Sequence, residues 1–404
     1  MKKIIKIKLN LKYAILAVLS LCSSIGAIYG ESIIIKGFYL FSMVIYALIS
    51  INSKDGVKWN RKHICILLCL FFSYIISDFE TLSLLLSFII IFFTKGLDEQ
   101  NIVRYLFGPR LILFIIHITL VGLNIIPNNL IFRYEYGTLD ISDIRYCLGF
   151  LHPNTAYWFF FTLASQYAFI RSKKIKLYEI FIVFCICYYL YNLTYSRTGF
   201  IISILLIISI LLYKYQEKLL LFLCRKKIFA ITGILIIFIG IALPVYFANG
   251  GNNALLKQID FMFTGRFSSA GLGLSIEGLS IFGTKRLYNS TLDSTYIYIL
   301  LYSGIIAFVF ISFCYFKLLR YLENNKKPFY NCLILLYMAY ALFEHPFINV
   351  FNNFTIFFFC MYIDRFSNMK IQQKKKVILY NSKKRNSIHY IGIYRYKYGD
   401  TYNE

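Results

Sequence analysis

The chain of 404 residues is 59% hydrophobic and only 15% charged, with 43 Lys and Arg against 19 Asp and Glu. A soluble protein would carry about a quarter charged residues, so the composition excludes an ordinary soluble domain and predicts many membrane-spanning helices. The net charge of +24 does not indicate a nucleic-acid partner, because the cations lie between long apolar runs. Cations at such positions are typical of topology signals and of contacts with anionic lipid head groups in the bilayer.

Twelve apolar runs predict an all-α polytopic membrane protein with about twelve transmembrane helices. Several runs are shorter than the ~20 residues that a helix needs to cross the hydrocarbon core, so their ends are approximate. A further cluster at 219–223 is too short to span and is predicted to lie at the membrane interface. In chain order the predicted spans are 12–30, 33–51, 64–77, 79–94, 111–127, 151–170, 177–193, 199–213, 228–247, 294–316, 329–344 and 347–363.

The positive charges alternate along these runs. Of the 43 Lys and Arg, 35 fall in every second gap or at its edge, counting from the N-terminus. Because positive residues stay on the cytoplasmic side during insertion, both termini are predicted to be cytoplasmic. The chain then comprises one transmembrane domain, residues 1–363, and a basic cytoplasmic tail, residues 364–404.

Two long segments are predicted to lie outside, at 128–150 and, between spans nine and ten, at 248–293. Within the second, residues 254–263 fit a short amphipathic helix on the outer leaflet. Charge inside the spans is nearly absent, with Lys36 as the main exception. An ion-coupled transporter usually needs ionisable residues along an internal path, so this pattern argues against one.

The predicted outer turns contain the residues best suited to chemistry. His152 precedes Pro153 and Asn154 at the start of span six; Pro and Asn suit a helix start, whereas His152 suits a base or a phosphate contact. The segment 194–199 (TYSRTG) forms the whole turn before span eight. Arg197 in that turn is either a ligand that forks onto phosphate oxygens or a cation that reaches lipid head groups, and the ligand role is preferred.

Further candidates lie later in the chain. The segment 264–267 (TGRF) contains Arg266, and Arg286 and Asp293 follow in the same outer segment. For Arg286 a solvated loop cation is the simpler interpretation, and for Asp293 a helix cap. Glu344 and His345 lie side by side at the last predicted outer turn, where they form either an acid–base pair or a polar turn.

No metal or cofactor is predicted. The ten cysteines lie mostly inside apolar runs without adjacent His or carboxylate residues, whereas a metal site needs convergent polar ligands. The predicted outer segments contain no acidic pair with the DxD spacing, since Asp140 and Asp143 are three residues apart.

Together these motifs resemble those of Wzy-type polysaccharide repeat-unit polymerases, which are related to the O-antigen ligases. The resemblance is carried by the order and sidedness of HPN at 152–154, YSRTG at 195–199, TGR at 264–266, FG at 282–283, DSTYIYILLYSGI at 293–305 and EHP at 344–346. Each motif alone is weakly specific. The resemblance covers the topology of most of the chain.

The resemblance implies an all-helical enzyme of the bacterial plasma membrane, similar to lipid-dependent (GT-C-like) glycosyltransferases. Such an enzyme transfers a growing glycan from undecaprenyl diphosphate onto a new lipid-linked repeat unit at the outer face, without a metal, and its expected protein partners are a flippase and a chain-length regulator. The expected catalytic residues are His152, Glu344 and His345, with His152 as the first choice of base. The expected substrate-binding residues are Arg197, Arg266, Arg145, Asn154, Arg286 and Asp293.

Two other functions stay open. A flippase for the same lipid-linked oligosaccharide should have cationic residues in its central spans, whereas this chain places them in the predicted outer turns. A ligase that moves finished polymer to another acceptor has the same chemistry, and the sequence does not separate it from a polymerase.

Overall fold

The computed structural model describes residues 2–30, 32–51, 61–77, 81–94, 96–134, 141–287, 292–344 and 348–359. The described chain is almost entirely helical, with one two-stranded sheet. Its helices are α1 (Lys2–Tyr29), α2 (Ile33–Ile51), α3 (Arg61–Ile76), α4 (Leu82–Phe93), α5 (Glu99–Gly122), α6 (Pro153–Arg171), α7 (Leu177–Thr194), α8 (Arg197–Tyr215), α9 (Glu217–Arg225), α10 (Ile228–Ala248), α11 (Ala254–Met262), α12 (Arg266–Glu277), α13 (Thr295–Tyr298), α14 (Gly304–Asn324) and α15 (Pro328–Tyr340).

The chain is a helical, multi-pass membrane protein by the length and composition of its helices. Seven helices within the described residues are long and apolar enough to cross a membrane: Leu11–Tyr29, Ile33–Ile51, Glu99–Gly122, Leu177–Thr194, Arg197–Tyr215, Ile228–Ala248 and Thr295–Asn324. Three shorter apolar helices cover Leu67–Ile76, Leu82–Phe93 and Pro328–Tyr340. The number of twelve spans and the cytoplasmic termini remain predictions, and the tail 364–404 lies outside the described residues.

Helix α5 begins twelve residues before the predicted span 111–127. Asp98 caps it by accepting a hydrogen bond from the backbone N of Asn101 at 2.9 Å, which satisfies one of the free N–H groups of the first turn. The helix then continues through Pro109 and Arg110, where the apolar run in the sequence is interrupted. Arg110 therefore lies inside a membrane-crossing helix instead of before it.

The last predicted span, 347–363, does not form one continuous helix over the described residues 348–359. This part of the chain contains turns and a short 3-10 helix, Phe354–Phe357. Polar side chains hold it: Asn349 Oδ1 accepts from the backbone N of Phe351 at 2.9 Å, and Ser87 Oγ accepts from that of Val350 at 2.9 Å. Such satisfied irregular backbone is compatible with burial inside a helical bundle.

The two long segments between helices have local structure. In 128–150, β1 (Leu130–Tyr134) pairs antiparallel with β2 (Ile141–Tyr146), from Leu130 opposite Tyr146 to Tyr134 opposite Ile141. In 248–293, the helix predicted at 254–263 is present as α11, and α12 follows it. The location of α11 on the outer leaflet stays a prediction. The cluster 219–223 lies in the nine-residue helix α9, which is too short to span.

Helix α12 packs closely on α10. A Cβ added at Gly271 would lie 2.6 Å from the carbonyl O of Pro244 and 2.9 Å from the backbone N of Ala248. Only glycine permits this approach between the two backbones. The contact fixes the segment that contains Arg266 against a membrane-crossing helix.

The bundle has two chemically different ends. Helix α6 begins at Pro153 at one end, called here the site end, and finishes at Arg171 at the other. The other end is a cationic rim, where Lys and Arg pair with carboxylates of neighbouring segments. The rim pairs are Arg171 with Glu179 at 2.7 Å, Lys173 with Glu217 at 2.5 Å and Lys327 with Glu99 at 3.4 Å.

Candidate functional site

Six helix ends meet at the site end of the bundle. Helices α6, α8, α12 and α13 begin there, and α7 and α15 end there, as their short connections and contacts require. Helix starts present unpaired backbone N–H groups and a partial positive charge. The four helix starts therefore provide donors suited to an anionic ligand, whereas the two helix ends contribute the opposite partial charge.

Arg266 and Glu344 form a buried ion pair at the centre of the site. Nη1 of Arg266 lies 2.9 Å from Oε1 of Glu344, and its Nε lies 3.6 Å from Oδ2 of Asp293. The side chains of Arg266 and Glu344 are each 9% exposed, whereas that of Asp293 is 38% exposed. The site thus has a guanidinium between a buried and a half-exposed carboxylate.

The chain around Arg266 folds so that this side chain has a fixed direction. Thr264 and Gly265 adopt φ values of 62° and 70°, which turns the chain sharply between α11 and α12. Asp260 Oδ1 then accepts from the backbone N of Phe267 at 2.8 Å, at the first turn of α12. Arg266 is consequently the first residue of a helix whose start is held from the preceding helix.

Glu344 is held by α13. Thr295 Oγ1 donates to the carbonyl O of Glu344 at 2.5 Å, and the backbone N of Thr295 donates to the carbonyl O of Ala341 at 2.9 Å. Burial raises the pKa of the Glu344 carboxyl to about 7, against the opposing effect of the Arg266 charge. A carboxyl with a pKa near neutrality is suited to accept and release a proton.

Arg145 joins the β-hairpin to the same site. It is buried, its Nε donates to the carbonyl O of Thr194 at 2.7 Å, and its Nη2 donates to Asn154 Oδ1 at 2.6 Å. Its positive charge also lowers the pKa of Glu344, although less than Arg266 does. Of the residues predicted from sequence, the structure brings together Arg145, Asn154, Arg266, Asp293 and Glu344, which we call the Arg–Glu cluster.

His152 is the N-cap of α6, a role for which the sequence favoured Asn154, whereas Pro153 lies in the first turn as predicted. Its Nδ1 accepts a hydrogen bond from the backbone N of Asn154 at 3.1 Å. A neutral imidazole whose Nδ1 accepts must carry its proton on Nε2. In this state the ring has no free basic nitrogen, so the arrangement favours a positioning or donor role over that of the base.

Arg197, Arg286 and His345 are the remaining predicted residues. Arg197 is the first residue of α8 and is exposed, and Arg286 is half-buried in the segment that follows α12. His345 lies outside the described residues. The roles predicted for all of these residues remain predictions.

Close packing accounts for the glycine at position 199 of the predicted motif 194–199. A Cβ at this position would lie 2.4 Å from Cδ1 of Tyr157 and 2.8 Å from Oη of Tyr340. The glycine allows α8 to approach these two buried rings. Tyr340, at the end of α15, lines the same region and was not identified from the sequence, since one Tyr among 35 has no distinguishing pattern.

Arg110 is a further exception, beside Lys36, to the expectation that charge inside the spans is nearly absent. It is fully buried in α5 and donates through Nε to Ser24 Oγ at 3.0 Å, through Nη1 to the carbonyl O of Phe351 at 2.5 Å and through Nη2 to Asn352 Oδ1 at 2.8 Å. It also stacks on Phe159, 4.8 Å from the ring centroid. Arg110 lies outside the predicted span 111–127 because it follows Gly108 and Pro109, which interrupt the apolar run.

Among the residues that the structure describes, no group of three or more His, Cys, Asp or Glu could hold a metal ion. The candidate site instead consists of permanently charged guanidinium groups and carboxylates. The guanidinium groups among them can bind and neutralise phosphate oxygens.

No family model, no curated protein and no solved structure matches this chain. The resemblance carried by the motifs therefore stands on those residues alone. The geometry of the Arg–Glu cluster provides the separate basis for a functional proposal.

Proposed function

We propose that the protein is a polysaccharide polymerase of the bacterial plasma membrane. It would join oligosaccharide repeat units linked to undecaprenyl diphosphate at the outer face, for capsule, exopolysaccharide or O-antigen synthesis. One observation carries the proposal: residues from four separate sequence motifs meet in the buried Arg–Glu cluster, at one end of a membrane-crossing bundle. This set of groups suits a reaction in which a lipid diphosphate leaves and a hydroxyl loses a proton.

Arg266 is assigned to the leaving diphosphate. Negative charge develops on that diphosphate as the glycosidic bond to it breaks, and a preorganised guanidinium in a buried site stabilises it strongly. The planar guanidinium also binds two phosphate oxygens at once, which an ammonium group does not do. Arg145 and the exposed Arg197 add positive charge near the same helix ends.

Glu344 replaces His152 as the first choice of base. It would take the proton of the acceptor hydroxyl while the hydroxyl oxygen bonds to the anomeric carbon of the donor glycan. The bond from that carbon to the diphosphate oxygen breaks, and its electron pair leaves with the lipid diphosphate. The proton on Glu344 then passes to solvent.

The ion pair between Arg266 and Glu344 links donor binding to base strength. A diphosphate that attracts Arg266 weakens its contact with Glu344, which is 2.9 Å long in the free protein. Because the Arg266 charge lowers the pKa of Glu344, loss of that contact raises the proton affinity of the carboxylate. The base is thereby strengthened when the donor is bound.

A flippase for lipid-linked oligosaccharide is the second candidate, and Arg110 is the observation that favours it. A buried cation within a membrane-crossing helix is expected of a protein that moves anionic substrate through its centre. Arg110, however, donates to three neutral acceptors, of which Phe351 O and Asn352 Oδ1 belong to the segment 348–359 and Ser24 Oγ belongs to α1. A structural role of this kind accounts for its burial without transport.

The test is polymerisation by the purified full-length protein of the lipid-linked repeat units that accumulate in a deletion strain. Arg266→Lys and Glu344→Gln should each lower the rate by about 10²-fold or more, the size expected for loss of an oxyanion donor or a base. Lys257→Gln, an exposed cation on α11, is the matched control and should retain the wild-type rate. Normal polymer from both site variants, at normal expression, would overturn the proposal.

The deletion strain separates the alternatives. Loss of a polymerase leaves single repeat units at the outer face, whereas loss of a flippase leaves them inside the cell. Loss of a ligase leaves long polymer still attached to lipid. Either of the last two outcomes would replace the proposed function.

A further inference from the structure

An apolar cavity of about 260 Å³ lies beside the Arg–Glu cluster. Its wall is built by α4, α10, α13, α14, α15 and the irregular segment 348–359, and nearly all of it is hydrocarbon or aromatic ring. The π-helical stretch Ile299–Ser303 between α13 and α14 contributes Ile299 to this wall. Stretches of π-helix occur often at functional sites.

The chemistry of the wall determines what the cavity can hold. An empty cavity of this size would destabilise the fold, because lining atoms lose dispersion contacts. Water is a poor occupant, since it needs two or more polar partners and an apolar cavity stays dry. A hydrocarbon chain makes favourable contacts with such a wall, and the predominantly apolar and aromatic lining is typical of a small-molecule site.

Thr295 connects the cavity to the Arg–Glu cluster. It lines the cavity, and its Oγ1 donates to the carbonyl O of Glu344 at 2.5 Å. Ala341 also lines the cavity and accepts a hydrogen bond from the backbone N of Thr295. Thr295 and Ala341 therefore place the cavity next to the carboxylate that pairs with Arg266.

One side of the cavity wall lies close to the outer surface of the bundle. Phe88 on α4, Ile237 on α10 and Phe310 on α14 line it and are only partly buried. Neighbouring residues on the outer faces of α10 and α14, such as Phe238 and Val309, are exposed, as expected of surfaces that face lipid. A lipid chain can enter sideways between these helices without passing through water.

We propose that this cavity binds the proximal chain of a polyprenyl diphosphate, with its phosphates at Arg266. The chain enters laterally between α4, α10 and α14, and its position sets the distance of the diphosphate from Glu344. The choice of a diphosphate lipid rests on the proposed function. The presence of a lipid chain in the cavity rests only on the apolar lining of the cavity wall.

The experiment is photo-crosslinking of the purified full-length protein in phosphatidylcholine nanodiscs. One probe is a polyprenyl diphosphate with a diazirine in its proximal chain, and the other is phosphatidylglycerol with a diazirine in one acyl chain. Labelled peptides are identified by mass spectrometry. The diphosphate probe should label residues 308–315 of α14, and unlabelled polyprenyl diphosphate should compete with it.

Two isoleucines on α10 give a matched pair of variants. Ile237→Trp fills the cavity and should lower labelling by about tenfold, equivalent to ~1.4 kcal/mol of binding free energy. Ile239→Trp makes the same change at a residue that is 42% exposed and outside the cavity wall, and should label like the wild type. If Ile237→Trp does not elute as a folded monodisperse protein, Ser312→Leu on the α14 wall serves instead.

Each outcome decides one part of the inference. Equal labelling of wild type and the cavity-filling variant overturns the cavity as the chain site. If the phosphatidylglycerol probe labels the cavity as strongly as the diphosphate probe, and phosphatidylglycerol competes with the diphosphate probe equally well, the choice of a diphosphate lipid is overturned. Because neither probe carries a sugar, selective cavity labelling in a protein that forms no polymer would sustain this site while the proposed function fails.

Discussion

At the scale of single residues, the buried position of Glu344 governs the chemistry of the site. Removing a carboxylate from water disfavours its charged form, and the nearby Arg266 only partly compensates. The same pair raises the pKa of Arg266, whose guanidinium stays charged throughout. The site therefore contains one permanent cation and one group that titrates near neutral pH.

The stability of the protein should consequently depend on the ionisation of Glu344. Its pKa rises from 4.5 in an ordinary environment to about 7 in the fold, so the folded state binds the proton more tightly than the unfolded chain. The resulting stabilisation is complete below the unfolded pKa and is lost as pH rises through about 7. It amounts to roughly 3 kcal/mol at most.

The measurement is the apparent unfolding temperature of the protein in detergent between about pH 5 and about pH 8. The wild type should lose stability across this range by more than Glu344→Gln, which cannot ionise. Identical pH profiles of the two proteins would show that Glu344 titrates at its ordinary pKa. The result does not depend on any enzymatic activity.

At the scale of helices, close backbone contacts hold the site together. Arg266 belongs to α12, which is not a membrane-crossing helix by length, and α12 is positioned by its contact with α10 at Gly271. Glu344 belongs to the end of α15 and is held by Thr295 of α13. The ion pair between Arg266 and Glu344 therefore requires that α10, α12, α13 and α15 keep their relative positions.

Gly271→Ala should separate α12 from α10. The added Cβ meets backbone atoms at 2.6 and 2.9 Å, which cannot rotate away as a side chain would. We expect a loss of stability on the order of 1–3 kcal/mol, the usual cost of overpacking, seen as a lower apparent unfolding temperature in detergent.

Gly108→Ala is the matched control for this change. Gly108 also lies in a helix, but a Cβ there has no atom within 4 Å. It should leave the unfolding temperature unchanged or raise it slightly, since Ala favours helix over Gly. A Gly271→Ala protein as stable as this control would contradict the close packing of α12 on α10.

At the scale of the whole molecule, the two ends of the bundle differ in charge chemistry. The cationic rim contains Lys and Arg of the short connections, and the site end contains the buried Arg–Glu cluster. The positive-inside rule places such a rim in the cytoplasm. The site end is then predicted to face outward.

Cysteine labelling of intact cells tests this orientation. An impermeant maleimide should label Ser268→Cys, which is exposed on α12, without permeabilisation, because α12 lies at the site end. Lys218→Cys, exposed on α9, should react only after permeabilisation. The reverse pattern would contradict both the predicted topology and the outer location of the reaction.

Properties that follow from local hydropathy were available from the sequence. The helical, multi-pass character, the short helix α11 and most helix positions follow from runs of apolar residues and their interruptions. The motifs at the helix ends were also visible as isolated polar residues in short turns. Hydropathy did not predict that α5 continues through Gly108, Pro109 and Arg110. It also did not predict the irregular backbone of 348–359, where polar side chains replace helical hydrogen bonds.

Only the tertiary structure decided which of these polar residues act together. Arg266 and Glu344 are 78 positions apart, and their distance, burial and pKa depend on neighbours from several helices. His152 and Glu344 look equivalent as candidate bases in the sequence, but one caps a helix through its Nδ1 and the other is buried beside a guanidinium. Hydropathy is a property of neighbours along the chain, whereas desolvation and Coulomb interactions act between groups close in space.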